Sequence, residues 1–276
     1  MVLQIPSPKT ESIVTWEALP ADFVLPDDPV ENNQQPLLAA ALTDALADAG
    51  RIQPEMLIVS NFGLVATVKK KTVVKAPDWL YVPQVYPVSN RTVRRSYTPN
   101  LEGAPVAVVM EFLSDADGAE LSIRGTPPYG KFYFYEQILQ VPTYVIYDTY
   151  EVNLEVYYRE NGRYVLAAAD EHGRVWIPEL KLFLGIWWGE HLLQSMNWLR
   201  WWDEAGNLLL WSAERAEMEH QRAEQESQRA EQESQRAEQE SQRAEQESQR
   251  AEQESQRADL LAAKLRELGV DPDQLT

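Results

Sequence analysis

Three residues able to act on a phosphodiester stand around one apolar stretch of this sequence. Glu111 is the single charged residue in Pro105–Ser114, PVAVVMEFLS. A short apolar run with valines reads as a strand buried on both faces. Alternation puts Val106, Val108, Met110 and Phe112 on one face, and Ala107, Val109, Glu111 and Leu113 on the other. A carboxylate in such a strand is costly unless it is paired or binds a metal. Upstream, Asp78 follows a proline in Ala-Pro-Asp-Trp, and downstream Lys131 opens an aromatic segment. Two acids and a lysine around a central strand suggest metal-assisted phosphodiester chemistry. The plainer reading of Glu111 is a strand-end acid salt-bridged to an arginine, and the residues alone leave both open.

Composition narrows the alternatives. The chain has 276 residues and is 44% hydrophobic, enough for one good-sized domain and an appendage. With no cysteine there are no disulfides, thiolate metal sites or cysteine nucleophiles. His172, His191 and His220 lie far apart without ligand spacing and read as incidental. The N-terminal stretch has no signal-peptide pattern and no run is long and apolar enough to span a membrane, so a soluble, cytoplasmic protein with no membrane partner is expected. The net charge of -18 opposes indiscriminate nucleic-acid binding. Against it, residues 69–95 carry seven basic side chains and one acid, Asp78. Such a segment is either a solvated, lysine-rich hairpin or a phosphate-facing rim.

The elements that must position these residues are legible in outline. Residues 1–34 are proline-rich and irregular. Gln35–Gly50 has helical spacing of leucine and alanine, with Gly50 where a stop belongs. Glu31 lies just before that helix, within reach of a site at its N-terminal end. Met56–Ser60 and Leu64–Val68 read as strands joined at Asn61-Phe62-Gly63. Thr72–Lys75 and Trp79–Val82 bracket Asp78. Residues 90–103 and 115–130 read as loops. Lys131–Leu139 reads as a helix and Pro142–Asp148 as a strand, which makes the two apolar strands parallel across a helical crossover. Asn153–Tyr158, Arg163–Ala168 and Arg174–Ile177 read as an antiparallel meander. Six of nine tryptophans fall in residues 183–211 and are expected to be covered, as packing. Among the tyrosines, Tyr133, Tyr135, Tyr144 and Tyr147 suit either the cleft or the core.

Beyond them Arg-Ala-Glu-Gln-Glu-Ser-Gln occurs five times in register from Arg222. These strong helix formers predict a helix from about Leu208 to Leu268, stopped by Gly269 and Pro272. The only seam is small, Ala223 and Ser227 repeating, so a solitary helix and a left-handed coil both remain open.

The motifs resemble a known family. Pro-Asp-Trp at 77–79, Val-Met-Glu-Phe-Leu-Ser at 109–114, Lys-Phe-Tyr-Phe-Tyr-Glu at 131–136 and Val-Pro-Thr-Tyr-Val-Ile-Tyr-Asp at 141–148 occur in the order of the Uma-two restriction-endonuclease family. Leu-Arg-Trp-Trp-Asp-Glu-Ala-Gly-Asn-Leu-Leu at 199–209 and the charged helix with its Lys-Leu-Arg-Glu-Leu-Gly-Val-Asp-Pro-Asp ending also fit. The resemblance covers about 25–210 and implies an α+β, PD-(D/E)XK nuclease-like fold: a mixed sheet flanked by helices, then a long C-terminal helix or coiled coil. It implies Asp78, Glu111 and the carbonyl of Phe112 as ligands of Mg²⁺ (or Mn²⁺), Lys131 as the partner of phosphate and water, and Glu31 as an auxiliary acid. The superfamily's usual lysine position, two after Glu111, holds Leu113, and the resemblance moves that lysine to Lys131. The expected organisation is an irregular segment 1–30, an endonuclease-like domain 31–206, a heptad helix 207–269 and a tail 270–276. The expected function is a metal-dependent DNA endonuclease with a helical arm that pairs with itself, as in a homodimer, or with another helix. The alternative is a catalytically degenerate nuclease-fold scaffold acting through protein contacts of the heptads.

Overall fold

The computed structural model describes residues 14–20, 32–88, 93–113, 122–267 and 269. Helix α1 spans Gln35–Asp48 with Pro36 in its first turn, where a missing N–H is harmless. Its predicted apolar face is the buried one: Leu38, Ala41, Leu42, Ala45 and Leu46 are all covered. Gly50 follows at φ 66, the left-handed position expected of a stop.

The strands, in chain order, are β1 Val14–Thr15, β2 Leu57–Val59, β3 Gly63–Val68, β4 Lys71–Lys75, β5 Trp79–Val82, β6 Ser96–Tyr97, β7 Val108–Leu113, β8 Thr143–Asp148, β9 Asn153–Glu160 and β10 Arg163–Leu166. Then come β11 Val175–Ile177, β12 Leu182–His191 and β13 Gln194–Trp202. The main sheet has the order β10-β9-β8-β7-β5-β2. β7 and β8 are parallel, as the crossover between them requires, and the other neighbours are antiparallel. The fold is therefore mixed α+β. The crossover is α2, Lys131–Tyr133, which continues as a π-helical turn over Phe134–Leu139 instead of the ordinary helix expected there. Gln140 ends it at φ 56.

Two expected pairings differ. β2 and β3 do not form a hairpin: β2 pairs with β5 in the main sheet, whereas β3 pairs with β4, β1 and β6 in a second sheet. A two-residue turn, Lys69-Lys70 at φ 50 and 63, joins β3 to β4, and such turns match strand twist better than the longer link at 60–62. The meander also ends early. β9 and β10 turn at Asn161-Gly162 as expected, but β11 leaves for a third sheet, β11-β12-β13. Val175 and Ile177 are buried there, whereas Val165 and Leu166 of β10 lie exposed. Val106, before the start of β7, packs with the cluster on the Val109 side, so the alternation read for this strand holds only from Val108.

The third sheet carries most of the tryptophans, and Trp198, Trp201 and Trp211 are buried. A buried indole needs an acceptor for its N–H. Trp201 donates to the Leu42 carbonyl at 3.1 Å and Trp211 to that of Ala41 at 3.0 Å, while Trp79 of β5 donates to Thr43 Oγ1 at 3.0 Å. Helix α1 is thereby fixed between the main sheet and the tryptophan sheet, in one core with Met110 and Phe112 of β7. His191 is not incidental: it stacks on Trp211 with ring centres 3.9 Å apart. The guanidinium of buried Arg200 lies 3.3 Å from the centre of the same indole.

The chain divides into two compact units, one ending at Ser212 and one starting at Ala213. Of the second, residues 213–267 are helix. Within α3, Ser212–Glu267, no residue is buried. Its 56 residues extend about 84 Å at ~1.5 Å each. It starts later than expected because Leu208 and Leu209 are still held on β13, by a bridge to Trp202 and a hydrogen bond to Trp201. Arg222 and Glu226 form the expected charge pair at 3.1 Å. Among the described residues no helix is long and apolar enough to cross a membrane.

Replacing Trp201 by Ala should destabilise the chain by about 3–5 kcal/mol. Trp201→Phe, which mainly removes the bond to Leu42, should cost about 1 kcal/mol. Urea unfolding of the full chain followed by tryptophan fluorescence reads both, and a Trp201→Phe cost indistinguishable from zero would contradict the role given to the N–H.

Candidate active site

Strand β5 begins at Trp79, opposite Met110 of β7. Continuing that register sets Asp78 opposite Glu111 and Pro77 opposite Phe112. Pro77 has no N–H to give to a ladder, so the pairing stops and the end of β7 opens. Side chains replace the missing strand at Phe112. Its N–H donates to Asp78 Oδ2 at 2.6 Å, and its carbonyl accepts from the side-chain amide of Gln35. Asp78, just before β5, thus caps the end of β7 at the amide that follows Glu111 in the chain.

Glu111 is 0% exposed, at the centre of the main sheet. Both of its oxygens are engaged. Lys131 Nζ lies 3.0 Å from Oε2 and the Tyr135 hydroxyl donates to Oε1 at 2.7 Å. Lys131 and Tyr135 are four residues apart on the crossover, and the winding that puts both on one carboxylate includes the π-helical turn. Such turns recur at functional sites. Burial first, and then the charge of Glu111, push the Tyr135 hydroxyl well above the ordinary phenol range, and Asp78 adds to the effect. Tyr135 therefore keeps its proton and donates it in a hydrogen bond to Glu111. Glu111's expected alternative partner, an arginine, is replaced by this lysine–tyrosine pair. Leu113, on the Glu111 face, packs into the apolar cluster with Val109 and Ile138.

Gln35 is a site residue that the sequence reading missed. Its backbone N–H donates to Asn32 Oδ1 at 3.1 Å while its own amide oxygen accepts from the Asn32 N–H at 3.2 Å. This is a reciprocal cap of the helix start, and it leaves the Gln35 NH₂ group for the Phe112 carbonyl. The signal was the Asn32-to-Gln35 spacing ahead of Pro36. The carbonyl read as a metal ligand thus has one of its two lone pairs taken up by Gln35.

Glu31 lies outside the described residues, as do Arg91 and the loop residues 114–121. From the basic segment, Lys69, Lys70 and Lys71 are exposed at the β3–β4 turn. Arg94 is instead bound to Glu102 at 2.7 Å and to the Tyr86 carbonyl. Tyr144 and Tyr147 are core residues. A second buried acid, Glu136, is tied to the Tyr164 N–H at 2.7 Å and to Arg163 at 3.1 Å, and it holds β10 to the π-helical turn.

A family model named Uma2 and described as "Putative restriction endonuclease" matches residues 22–192. The chain belongs to the Uma2 family. A comparison with curated proteins finds no match. The Uma2 match contains Gln35, Asp78, Glu111, Lys131 and Tyr135, and stops one residue beyond β12. The folded unit continues past it, since β13 and Trp211 close the core around α1.

Lys131→Ala should destabilise the chain by about 2 kcal/mol, below the usual loss for a fully buried pair because Lys131 keeps some solvent. Pairing it with Glu111→Gln should recover part of that loss, because the buried charge is gone. Tyr135→Phe should cost about 1–3 kcal/mol. Urea titration of the unaltered chain, the three single variants Lys131→Ala, Glu111→Gln and Tyr135→Phe, and the double variant checks the set; additive losses for Lys131→Ala and Glu111→Gln would contradict the ion pair.

Proposed function

We propose that this chain is a metal-dependent DNA endonuclease hydrolysing phosphodiester bonds, with Asp78 and Glu111 holding Mg²⁺ (or Mn²⁺). The observation that carries the reading is the meeting of Glu111, Lys131 and the Asp78-bound amide of Phe112 at one opened strand end. Two carboxylates at one strand end are a hard-oxygen donor set, and Mg²⁺ is commonly held by one or two carboxylates plus waters and substrate phosphates. Among the described residues no group of three or more His, Cys, Asp or Glu gathers around a metal-sized site. When bound, the cation supplies charge for the scissile phosphate and lowers the pKa of an attacking water.

The protein residues do the rest. The Phe112 N–H fixes the Asp78 carboxylate at the strand end. Tyr135 holds one Glu111 oxygen from inside the core, so that carboxylate has a single orientation. Lys131 neutralises Glu111 before substrate arrives, and its ammonium is the group that meets the phosphate and orients water. The free lone pair of the Phe112 carbonyl completes the oxygen set. Glu31 is the auxiliary acid of this proposal.

The second reading is a nuclease-fold scaffold without turnover. It is favoured by both Glu111 oxygens being bonded within the protein and by the heptads of α3. Supercoiled plasmid incubated with Mg²⁺ or Mn²⁺ separates the two. Nicking or linearisation that falls roughly 100-fold or more in Glu111→Gln supports the endonuclease. Cleavage unchanged by Glu111→Gln removes the site assignment, and folded protein inert with both metals supports the scaffold.

A further inference from the structure

The β3–β4 hairpin ends in Lys69-Lys70 with Lys71 beside it, and all three are exposed. Both turn residues are left-handed, at φ 50 and 63. A two-residue turn of this kind favours Asn-Gly, which tolerates positive φ, and disfavours longer side chains. The same unit uses Asn161-Gly162, at φ 48 and 81, for the β9–β10 turn. At Lys69-Lys70 the conformational requirement is the same, yet the side chains are two cations. Residues 69–77 contain four lysines and no acid, in a chain of net charge -18. The cations are thus concentrated at a backbone position that would be more stable without them. The β12–β13 turn holds Leu192-Leu193 in the same conformation, at φ 52 and 59, so the backbone does not select lysine; what the Lys69–Lys71 tip adds is exposed positive charge in an acidic chain.

The location selects the partner. β4 runs from Lys71 to Lys75, and three residues later the chain reaches Asp78. At ~3.3 Å per residue, the nine residues from Lys69 to Asp78 put the whole lysine tip within about 30 Å of that carboxylate. This is less than one turn of a duplex, about 34 Å. A duplex seated at Asp78 and Glu111 and running toward the tip would meet it within one turn, with one phosphate charge per ~1.7 Å of axis.

We propose that the Lys69–Lys71 tip is a DNA-backbone clamp that holds duplex beside the site; this rests on the endonuclease reading. It contacts phosphates and carries no sequence preference. The tip positions DNA, and the Asp78–Glu111 end acts on it.

The test uses the full chain, a fluorescein-labelled 20-base-pair duplex and fluorescence anisotropy across a salt series with EDTA present. Lys69→Asn/Lys70→Gly removes two charges and supplies the favoured turn, so its melting temperature should equal or exceed that of the unaltered protein. Its affinity should drop roughly tenfold at low salt, and its log–log salt slope should fall by about 1.8. Lys69→Arg/Lys70→Arg should restore both. Equal affinity and slope in Lys69→Asn/Lys70→Gly would overturn the clamp. Cleavage of the same duplex with Mn²⁺ separates this outcome from the site's. If binding depends on the tip and nothing cleaves, the clamp stands and the endonuclease reading falls. If Glu111 controls cleavage while the tip variant binds and cleaves unchanged, the reverse holds.

Discussion

A carboxylate with no solvent contact, in the middle of a sheet, is the constraint around which this fold is arranged. Glu111 needs compensation within the protein, because its charge has lost water and neighbouring strands offer only backbone. The compensation comes from one element, the crossover between β7 and β8, through Lys131 and Tyr135. The parallel pairing of those strands therefore does two things. It forces a crossover to exist, and it carries that crossover over the face from which Glu111 projects. The core beneath it, with Phe134, Tyr135, Ile138 and Tyr144 buried, holds the crossover in place.

The second constraint is a proline. Where β5 ought to continue past Trp79, Pro77 leaves the ladder without a donor, and Phe112 must find other partners. Asp78 and Gln35 supply them from different elements, the start of a strand and the start of a helix. Helix α1 is itself anchored on its far side by the tryptophan sheet through Leu42 and Ala41. The position of Gln35 at the strand end thus depends on indole contacts outside the region that matches the Uma2 model. Packing and site geometry are one connected problem here, and the tryptophans belong to both.

Much of this was legible in the residues. The buried strand, the crossover, the parallel partner and the first helix all follow from apolar runs and helical spacing, which report burial directly. The three residues at the opened strand end could be picked out because ionisable side chains in apolar segments are conspicuous. What escaped was whatever depends on pairing between distant segments. Nothing local says that β3 prefers β4 to β2, or that β11 joins the tryptophan sheet, since adjacent strands with turn signals look alike whichever sheet they enter. Gln35 was missed because an uncharged amide at a helix start has a local explanation, capping, that hides its second bond. Tyr135 was caught between cleft and core and belongs to both: its ring is core, and its hydroxyl is in the site.

The five identical heptads of α3 give the arm a modular length. Each copy adds about 10.5 Å at ~1.5 Å per residue and turns the helix by nearly two full revolutions, about 20° short. Gain or loss of one copy would shift everything C-terminal to it along the axis while leaving it facing almost the same direction. Identity between copies also makes them interchangeable: two such helices side by side would meet the same residues after a slip of seven. Any fixed alignment would have to come from the non-repeating ends, Arg215–Gln221 and Leu260–Leu265. The repeat thus specifies a spacing without specifying a register.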